Sequence, residues 1–369
     1  MNEFITIKEI ARQALPRLIE NLVFPNLIHR DFSNDFALGK GDKIQVRKPV
    51  ILSAEEFDAE TGTNAQDINE TSVEVTLDKL ATVDAEFSSL QAATSIDDLN
   101  RIFIEPAAAA LAAKINSDGL NLYADIPYVT GEAGTTPSSL NSLAGVRKAL
   151  NENKVPVSPR VAVWDTEADA AFTTVDAIVN AEKSGSTAAL RDGSIGRIFG
   201  LDNYMSQAVK KHTSGITKAT SVKVDAAVNE GDTTLSVKAT ALTGKLVKGD
   251  ILTIEGKNYT VTADTEEAAS NAIAGICVYP ALDAYASDTA VTIAASHTAN
   301  LAFNPMAFAF VTRPLAAPSG VESYVTSYNG ITLRVVKGYD MKFKKEMISM
   351  DVLYGYKTMY PELAVRVLG

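Results

Sequence analysis

Apolar positions near the start of the chain follow the spacing of a helix. Thr6 and Glu9 form a capping box, and apolar residues then recur from Ile7 to Leu22 at every third or fourth position. Pro16 falls inside this pattern and is predicted to kink or divide the helix, since proline lacks the backbone N–H. The stripe fits either a surface helix with one buried face or an arm that buries that face on another chain.

Alternating apolar and polar positions next predict three strands, which begin at Ile44, Val73 and Val83. Residues 53–70, between the first two strands, contain six carboxylates and no basic side chain. A polar connection of this length is uncommon in a compact domain. It is therefore either a solvated loop or a hairpin tip that becomes ordered against a partner. The candidate inter-subunit contacts in this segment are Glu55, Glu56, Asp58 and Glu60.

A second helical pattern begins at Ser95 and continues to Leu122, well beyond the mean helix length of about 11–12 residues. Pro106 is predicted to kink this helix. The pattern then becomes a compact α/β order, in which helices and a strand alternate. Its segments are a helix at residues 139–151, a strand at 161–164 and a helix at about 167–181.

The composition changes between about residues 213 and 296, where Thr, Val, Ala, Gly and Asp dominate. Short strand-like runs recur, and Glu255-Gly256-Lys257-Asn258 is a hairpin-turn signal. This spacing predicts a small antiparallel barrel or sandwich. Because the α/β pattern stops here, we interpret the segment as an inserted domain whose two ends lie close together. The predicted strands are 221–224, 233–237, 251–254, 259–262, 274–278 and 291–294.

Period-two alternation returns after this segment. Residues 331–335 and 348–354 are predicted to form the two strands of a long antiparallel hairpin. Residues 363–367 add a final strand.

Composition limits the classes of function. A length of 369 residues corresponds to about two or three domains, and an apolar content of 46% supplies material for a buried core. The net charge of -11 argues against an electrostatic grip on nucleic acid or on an anionic membrane. Cys277 is the only cysteine, so folding in a reducing cytosol is expected. The start of the chain lacks a signal-peptide pattern, and no apolar run approaches the length of a membrane span.

The sequence contains no recognisable catalytic motif. A nucleophile elbow, a phosphate-binding loop and a zinc signature are absent from it. Gly39 and Gly41 begin a dinucleotide-type pattern, but Ile44 stands where the last glycine is needed. His29, His212 and His297 lie far apart without metal-ligand spacing. We therefore predict no catalytic residue, no cofactor and no metal.

Four segments of the chain form an ordered set. The segments are Glu105-Pro106 with Leu111 and Ile115; GSIGR at 193–197 with Gly200 and Ser206-Gln207; NLAF at 300–303 with Ala307-Phe308 and Arg313-Pro314-Leu315; and YNGITLRVV at 328–336 followed by MDVLYGYKTMYPELAVRV at 350–367. Taken in order, these segments resemble the coat proteins of tailed bacteriophages. The resemblance is strongest in the last forty residues and spans nearly the whole chain.

This resemblance implies an α+β protein with the Hong Kong phage-type major capsid fold, in the branch that carries an inserted antiparallel β-barrel domain. The parts it implies are an N-terminal arm at 1–42, an extended hairpin loop at 43–90, a spine helix with peripheral domain at 91–138, a first axial part at 139–212, the inserted β domain at 213–297, a second axial part at 298–317 and the C-terminal strands of the peripheral domain at 318–369.

The implied function is that of a major capsid protein. Such a protein assembles with itself, as hexamers and pentamers, into the procapsid and mature head of a phage or prophage. Its implied partners are a scaffolding protein, a portal protein and packaged DNA that is enclosed without tight binding, and no membrane is expected. Its location would be the virion, with assembly in the host cytoplasm. The alternatives are an enzyme with a β accessory domain and a non-viral surface-binding β protein.

Overall fold

The computed structural model describes residues 7–30, 43–47, 72–88, 103–185, 187–328, 330–341 and 345–369. The chain packs as two compact units. Unit 1 comprises Met1–Leu15, Arg30–Ile104 and Ala309–Met359, and unit 2 comprises Pro16–His29, Glu105–Phe308 and Tyr360–Gly369.

The described helices fall mostly in unit 2. They are α1 (Ile7–Asn21), α2 (Phe24–Leu27), α3 (Glu105–Leu120), α4 (Leu140–Glu152), α5 (Thr166–Phe172), α6 (Asp176–Val179), α7 (Ala181–Ser184) and α8 (Ala188–Asp192), with 3₁₀ turns at Asn121–Asp125, Pro305–Ala307 and Pro361–Leu363.

The strands dominate the rest of the described chain. They are β1 (Lys43–Arg47), β2 (Ser72–Thr76), β3 (Lys79–Ser88), β4 (Val129–Gly131), β5 (Val161–Trp164), β6 (Arg197–Ile198), β7 (Leu201–Met205), β8 (Lys211–His212), β9 (Ile216–Thr220), β10 (Lys223–Val224), β11 (Thr234–Lys238), β12 (Ala241–Gly244), β13 (Ile251–Ile254), β14 (Lys257–Val261), β15 (Ala272–Tyr279), β16 (Val291–Ile293), β17 (His297–Phe303), β18 (Phe308–Arg313), β19 (Glu322–Tyr328), β20 (Ile331–Asp340), β21 (Lys345–Thr358) and β22 (Ala364–Leu368).

Unit 1 is built on a five-stranded sheet in which β21 pairs with β18, β20 and β3. The long hairpin predicted from the alternation is confirmed, with Val335 opposite Met350 in the antiparallel register. Leu333, Val335, Met350 and Val352 are fully buried because successive side chains point to opposite faces of a strand. Strands β1 and β2 form a separate antiparallel pair at the base of the predicted extended loop.

Unit 2 is centred on a seven-stranded sheet of order β4-β22-β17-β5-β7-β6, with β8 also pairing to β17. The strand predicted at 161–164 is β5, and all its residues are buried. Leu143 and Leu150 of α4 pack with Ala162 and Trp164 in one hydrophobic core. Phe303 alternates to the opposite face, where its ring lies 5.5 Å from that of Phe24.

Helix α3 occupies the described part of the predicted spine. Its alanine-rich first half and its leucine and isoleucine are buried along one side. Pro106 stands in the first turn of α3, and Phe103 and Ile104 form a π turn just before it. A proline in a longer helical run causes this kind of local irregularity, since it cannot supply the backbone N–H. The predicted start at Ser95 lies outside the described residues.

The prediction of one helix at about 167–181 is wrong. The segment is divided into α5, α6 and α7. After α5, the Thr173 and Thr174 hydroxyls donate to the carbonyls of Ala170 and Ala171, 2.8 and 2.7 Å away. Threonine side chains compete with the helix for its own carbonyls, and β-branched residues are poor helix formers, so the run Thr173-Thr174-Val175 ends the helix. By contrast, α1 runs through Pro16 without dividing.

The segment at 213–296, called the insert below, holds a six-stranded antiparallel sheet of order β10-β11-β15-β14-β13-β16 and the pair β9-β12. Its strands enclose their own hydrophobic core, which includes Leu235, Ile254 and Ile276. The predicted turn is a two-residue hairpin in which Glu255 and Gly256 both have positive φ, 48° and 81°. Strands β9 and β12 were not predicted, since their Lys, Thr and Gly residues obscure the alternation.

No sheet of the described residues closes as a continuous ladder, and β10 and β16 stand at the two ends of the strand order. Backbone hydrogen bonds nevertheless join these ends. The N–H of Val224 donates to the carbonyl of Thr289, and the N–H of Val291 donates to the carbonyl of Val222, each over 2.9 Å.

The final strand, β22, packs in unit 2, as do all residues from Tyr360 onward. There β22 lies between β17, with which it is antiparallel, and β4, with which it is parallel. All five residues of β22 are buried. Because central strands are buried on both faces, burial does not alternate along β22 as it would in a sheet with one exposed face.

Candidate functional site

The sequence-predicted contact residues Glu55, Glu56, Asp58 and Glu60 lie outside the described residues. Within the described ranges, no group of three or more His, Cys, Asp or Glu side chains is arranged to hold a metal ion. No described helix has the length and apolar character needed to cross a membrane.

Large apolar side chains are exposed in both units. In unit 1, Tyr328 and Met341 are 67% and 78% exposed. In unit 2, Leu190 and Val157 are 71% and 68% exposed. A single exposed apolar residue is ordinary, but exposed apolar groups are also what a protein contact covers.

Phe199 combines exposure with backbone strain. It stands at the tip of the β6–β7 hairpin with a φ of 52°, a region that bulky side chains rarely adopt. Its ring borders an open groove of ≈ 520 Å³ that Arg147 and Lys148 of α4 also line. A strained, exposed aromatic residue beside a groove is a candidate contact point.

A cluster of buried polar side chains lies where the insert meets the rest of unit 2, which we call the host. We name the cluster the polar junction. It consists of Tyr123, His212, Asp250, His297 and Arg366. His212 and Asp250 have relative exposures of 3% and 0%, and His297 and Arg366 are fully buried.

The two histidines mark the points where the chain leaves and re-enters the host. His212 in β8 is the direct antiparallel partner of His297 in β17. Their ring centroids are 5.3 Å apart. Slightly further into the insert, the N–H of Ser214 donates to Oγ of Ser296 over 3.0 Å. The two ends of the insert therefore lie together, as the sequence predicts.

Arg366 of β22 reaches this pair from the host sheet. Its Nη1 donates to the carbonyl of Gly249, 2.7 Å away, and its Nη2 donates to Nε2 of His297, 2.6 Å away. Its guanidinium carbon also lies 4.5 Å from the centre of the Tyr123 ring. Burial lowers the pKa of Arg366 to about 10, so the guanidinium keeps its charge at neutral pH.

The hydrogen bonds define how each imidazole is used. Arg366 can only donate, so Nε2 of His297 accepts and Nδ1 carries the proton, which it donates to the carbonyl of Ala295 over 2.6 Å. In His212, Nε2 donates to the Asp250 carboxylate over 2.9 Å. Nδ1 of His212 lies within hydrogen-bond distance of the Tyr123 hydroxyl, 3.1 Å away.

Two further pKa values of the junction, those of His297 and Tyr123, are shifted mainly by burial. The pKa of His297 is lowered to about 4, first by burial and next by the positive charge of Arg366. The pKa of Tyr123 is raised by burial, although Arg366 acts in the opposite direction. His297 is therefore neutral, and Tyr123 keeps its hydroxyl proton, across the physiological range.

A loop of the insert docks on the end of the spine segment beside this cluster. Gly249 has a φ of 93°, and a side chain there would approach Cβ of Ala124 to 2.9 Å. Oγ1 of Thr260 donates to the Ala124 carbonyl over 2.8 Å, and Nζ of Lys248 lies 2.8 Å from a carboxylate oxygen of Asp125. Glycine is needed because any larger residue would separate the two surfaces.

A second buried polar contact holds the N-terminal segment. Asn116 of α3 is 5% exposed. Its Oδ1 accepts from the N–H groups of Val23 and Phe24 over 3.1 and 3.2 Å. Its Nδ2 donates to the carbonyl of Asn21 over 3.0 Å. The single side-chain amide of Asn116 thus provides hydrogen-bond partners for backbone groups at the end of α1 and the start of α2.

Sequence reasoning missed both buried sites. The wide spacing of His212 and His297 predicts no metal site, and it gives no sign that the two rings meet. The signal that could have connected them is the prediction that the insert's ends meet, since each histidine flanks one boundary of the insert. Asn116 carries no comparable signal, because a lone asparagine within a helical pattern has many ordinary explanations.

No family model matches the sequence, and no curated protein matches it. Solved structures do share the fold. A structure from Mycobacterium phage Che8 has 18% identity and a TM-score of 0.55, and the match covers 94% of this chain and 90% of that chain. The capsid structure of the cyanophage P-SCSP1u has 12% identity and a TM-score of 0.50, with 90% and 84% covered. The capsid of an empty GTA particle has 7% identity and a TM-score of 0.50, with 94% and 90% covered. At these identities the likeness concerns the fold, and it confirms the α+β capsid fold that the sequence resemblance implies.

Proposed function

We propose that the chain is the major capsid protein of a tailed bacteriophage or prophage and assembles with itself into an icosahedral shell around the genome. The observation that carries this proposal is the extent of the fold match. The chain matches the cyanophage capsid structure over 90% of its own length and 84% of the other. Little of the chain remains outside the shared fold to form a separate catalytic domain.

The exposed apolar groups support the same function. Tyr328 and Met341 in unit 1 and Leu190 in unit 2 are each more than two-thirds exposed in the isolated chain. In a shell, contacts of this kind are covered by neighbouring copies. Each contact can be weak, because every copy in a closed assembly is held by several neighbours at once.

The proposed parts of the subunit follow the division implied by the resemblance. We propose that residues 1–42 and 43–90 are the arm and the extended loop, and that Glu55, Glu56, Asp58 and Glu60 contact a neighbouring copy. The remaining proposed parts are the spine helix with the peripheral domain at 91–138, the axial part at 139–212 and 298–317, the insert at 213–297 and the C-terminal strands of the peripheral domain at 318–369.

The insert is proposed to be a small β-barrel. The support comes from the hydrogen bonds of Val224 and Val291, which join the two ends of the six-stranded order. The core of the insert is formed by residues of the insert itself, as expected for a domain able to fold alone.

The other partners follow from the function. A scaffolding protein would direct assembly, and a portal protein would occupy one vertex. The genome would be enclosed without tight binding, because a chain of net charge -11 repels DNA. The protein would be part of the virion after assembly in the host cytoplasm. The structural neighbours described above lend no support to an enzyme with a β accessory domain or to a non-viral surface-binding protein.

The test is to express the full chain with and without its cognate scaffolding protein. Sedimentation and electron microscopy should reveal closed hollow particles of megadalton mass. A folded subunit that stays monomeric or dimeric under both conditions would contradict the proposal.

A further inference from the structure

We propose that the polar junction is a proton-sensitive joint, which holds the insert against its host while His297 is neutral and releases it when His297 binds a proton. This inference concerns one folded chain and does not depend on shell assembly. It rests on the position of the junction, on the direction of its hydrogen bonds and on its balance of charge.

The polar junction lies at the place where the insert is joined to the host. The insert is connected covalently only where the chain leaves the host near His212 and returns near His297. Arg366 spans both sides of this joint, since it belongs to β22 of the host and donates to the carbonyl of Gly249 in the insert. Loss of the Arg366 contacts would leave the insert attached through its two chain connections, the His212–Asp250 hydrogen bond and its contacts near Ala124 and Asp125.

The direction of the hydrogen bonds requires a neutral His297. Its Nε2 accepts from Arg366 over 2.6 Å. Protonation at Nε2 would replace the lone pair with an N–H, so two donors would face each other at that distance. Because both residues are fully buried, water could relieve the conflict only if the joint opened.

The balance of charge acts in the same direction. The charged and titratable groups that face His297 are Arg366 of β22, His212 of β8, Asp250 of the insert loop and Tyr123 of the spine segment. With His297 neutral, the positive Arg366 and the negative Asp250 compensate each other. A proton on His297 adds an uncompensated positive charge, which a buried site tolerates poorly.

The size of the effect follows from linkage. The pKa of His297 is about 4 in the closed joint, against 6.5 for an exposed histidine. Between these two pH values the open form therefore binds more protons than the closed form. The closed joint keeps the full stabilisation from neutral His297 above about pH 6.5, and it loses this stabilisation as the pH falls toward 4. Opening should become roughly 30-fold more favourable between pH 7.5 and pH 5.

The experiment is amide hydrogen exchange of the full-length chain at pH 7.5 and pH 5, corrected for the intrinsic exchange rates. The reporter is the Ala299 amide, which donates to the carbonyl of Lys210 across the two strands. The β20–β21 hairpin of unit 1 serves as the internal reference. The variant His297→Gln keeps an acceptor for Arg366 but cannot titrate.

In the natural protein, protection at Ala299 should fall by about 30-fold at pH 5, while the reference hairpin changes little. In His297→Gln, protection at Ala299 should be independent of pH over this range. Unchanged protection in the natural protein, or an equal loss in the variant, would overturn the proposal.

A second measurement covers the case in which His297→Gln does not fold. The chain has three histidines, so nitrogen-15 labelling of histidine gives few side-chain signals. His297 should show the tautomer protonated at Nδ1 at neutral pH and should bind its proton only together with the loss of Ala299 protection. A His297 ring that is already protonated at pH 7, or that titrates while the joint stays protected, would also overturn the proposal.

Discussion

Replacement of Asn116 by alanine should loosen the N-terminal segment by about 3 kcal/mol. The amide of Asn116 makes three hydrogen bonds to the backbone between α1 and α2, to Val23, Phe24 and Asn21. Phe24 is fully buried, and its ring packs 5.5 Å from that of Phe303. The same few residues therefore carry both the polar and the apolar attachment of this segment to unit 2.

The magnitude combines three effects. Each lost hydrogen bond costs about 1 kcal/mol net, and a buried N–H left without a partner costs about 1–3 kcal/mol. The N–H of Phe24 is in a buried setting, so its cost should lie toward the upper end of that range. Alanine is the better helix former by about 0.5 kcal/mol, which offsets part of the loss. Intrinsic helix propensity alone would thus make the variant more stable.

The assay is native-state hydrogen exchange of the amides at residues 22–28 in the full-length chain. A loss of about 3 kcal/mol corresponds to roughly 100-fold faster exchange, since each 1.4 kcal/mol is a factor of ten. The matched control is Ala113→Asn, which places an asparagine on the exposed side of the same helix. The control should cost only about 0.5 kcal/mol through helix propensity.

Two results would refute this reasoning. Exchange at residues 22–28 that is unchanged in Asn116→Ala would mean that the three hydrogen bonds contribute nothing to the attachment. Equal acceleration in Ala113→Asn would mean that the effect arises from α3 as a whole and not from the buried amide.

Three further outcomes are expected. Gly355→Ala should lower the unfolding temperature of unit 1, because the new Cβ would lie 2.0 Å from a carbonyl oxygen at the end of β2. The control is Gly338→Ala, whose Cβ meets nothing within 4 Å, and equal unfolding temperatures of the two variants would contradict the clash. Reversal of Glu55 and Glu56 to lysine should reduce particle yield in sedimentation while the subunit's circular dichroism is unchanged, and normal yield would argue against a contact role. Residues 213–296 expressed alone should unfold cooperatively on heating, since they enclose their own core; a spectrum without a transition would mean that the insert folds only on its host.

Local chemistry explains which elements could be predicted from the sequence. The Glu255–Gly256 turn was predictable because a two-residue hairpin of this type needs two successive residues with positive φ, and a polar pair that contains glycine favours that conformation. The β20–β21 hairpin was predictable because one face is buried and the other is not. The prediction of one helix at 167–181 was wrong because it rested on periodicity and left out the hydroxyls of Thr173 and Thr174, which compete for the helix carbonyls.

The candidate sites were harder to predict from the sequence because they depend on contacts between segments that are distant in the chain. Arg366 and Gly249 are far apart in sequence yet share a hydrogen bond, and no local pattern reveals that pairing. The placement of β22 beside β17 and β4 is of the same kind. The predicted contact residues from Glu55 to Glu60 depend on a second copy of the chain and remain a prediction.

Buried polar groups at the places where segments join give a protein a fixed relative position of those segments, which apolar packing does not. Apolar contact is non-directional, so a domain held by apolar contact alone can settle in several similar positions. Arg366 and Asn116 instead impose one position on the insert and on the N-terminal segment, because any shift leaves buried donors without acceptors. The advantage of such groups under the proposed function is uniformity, since every copy in a closed assembly must present the same surfaces to its neighbours.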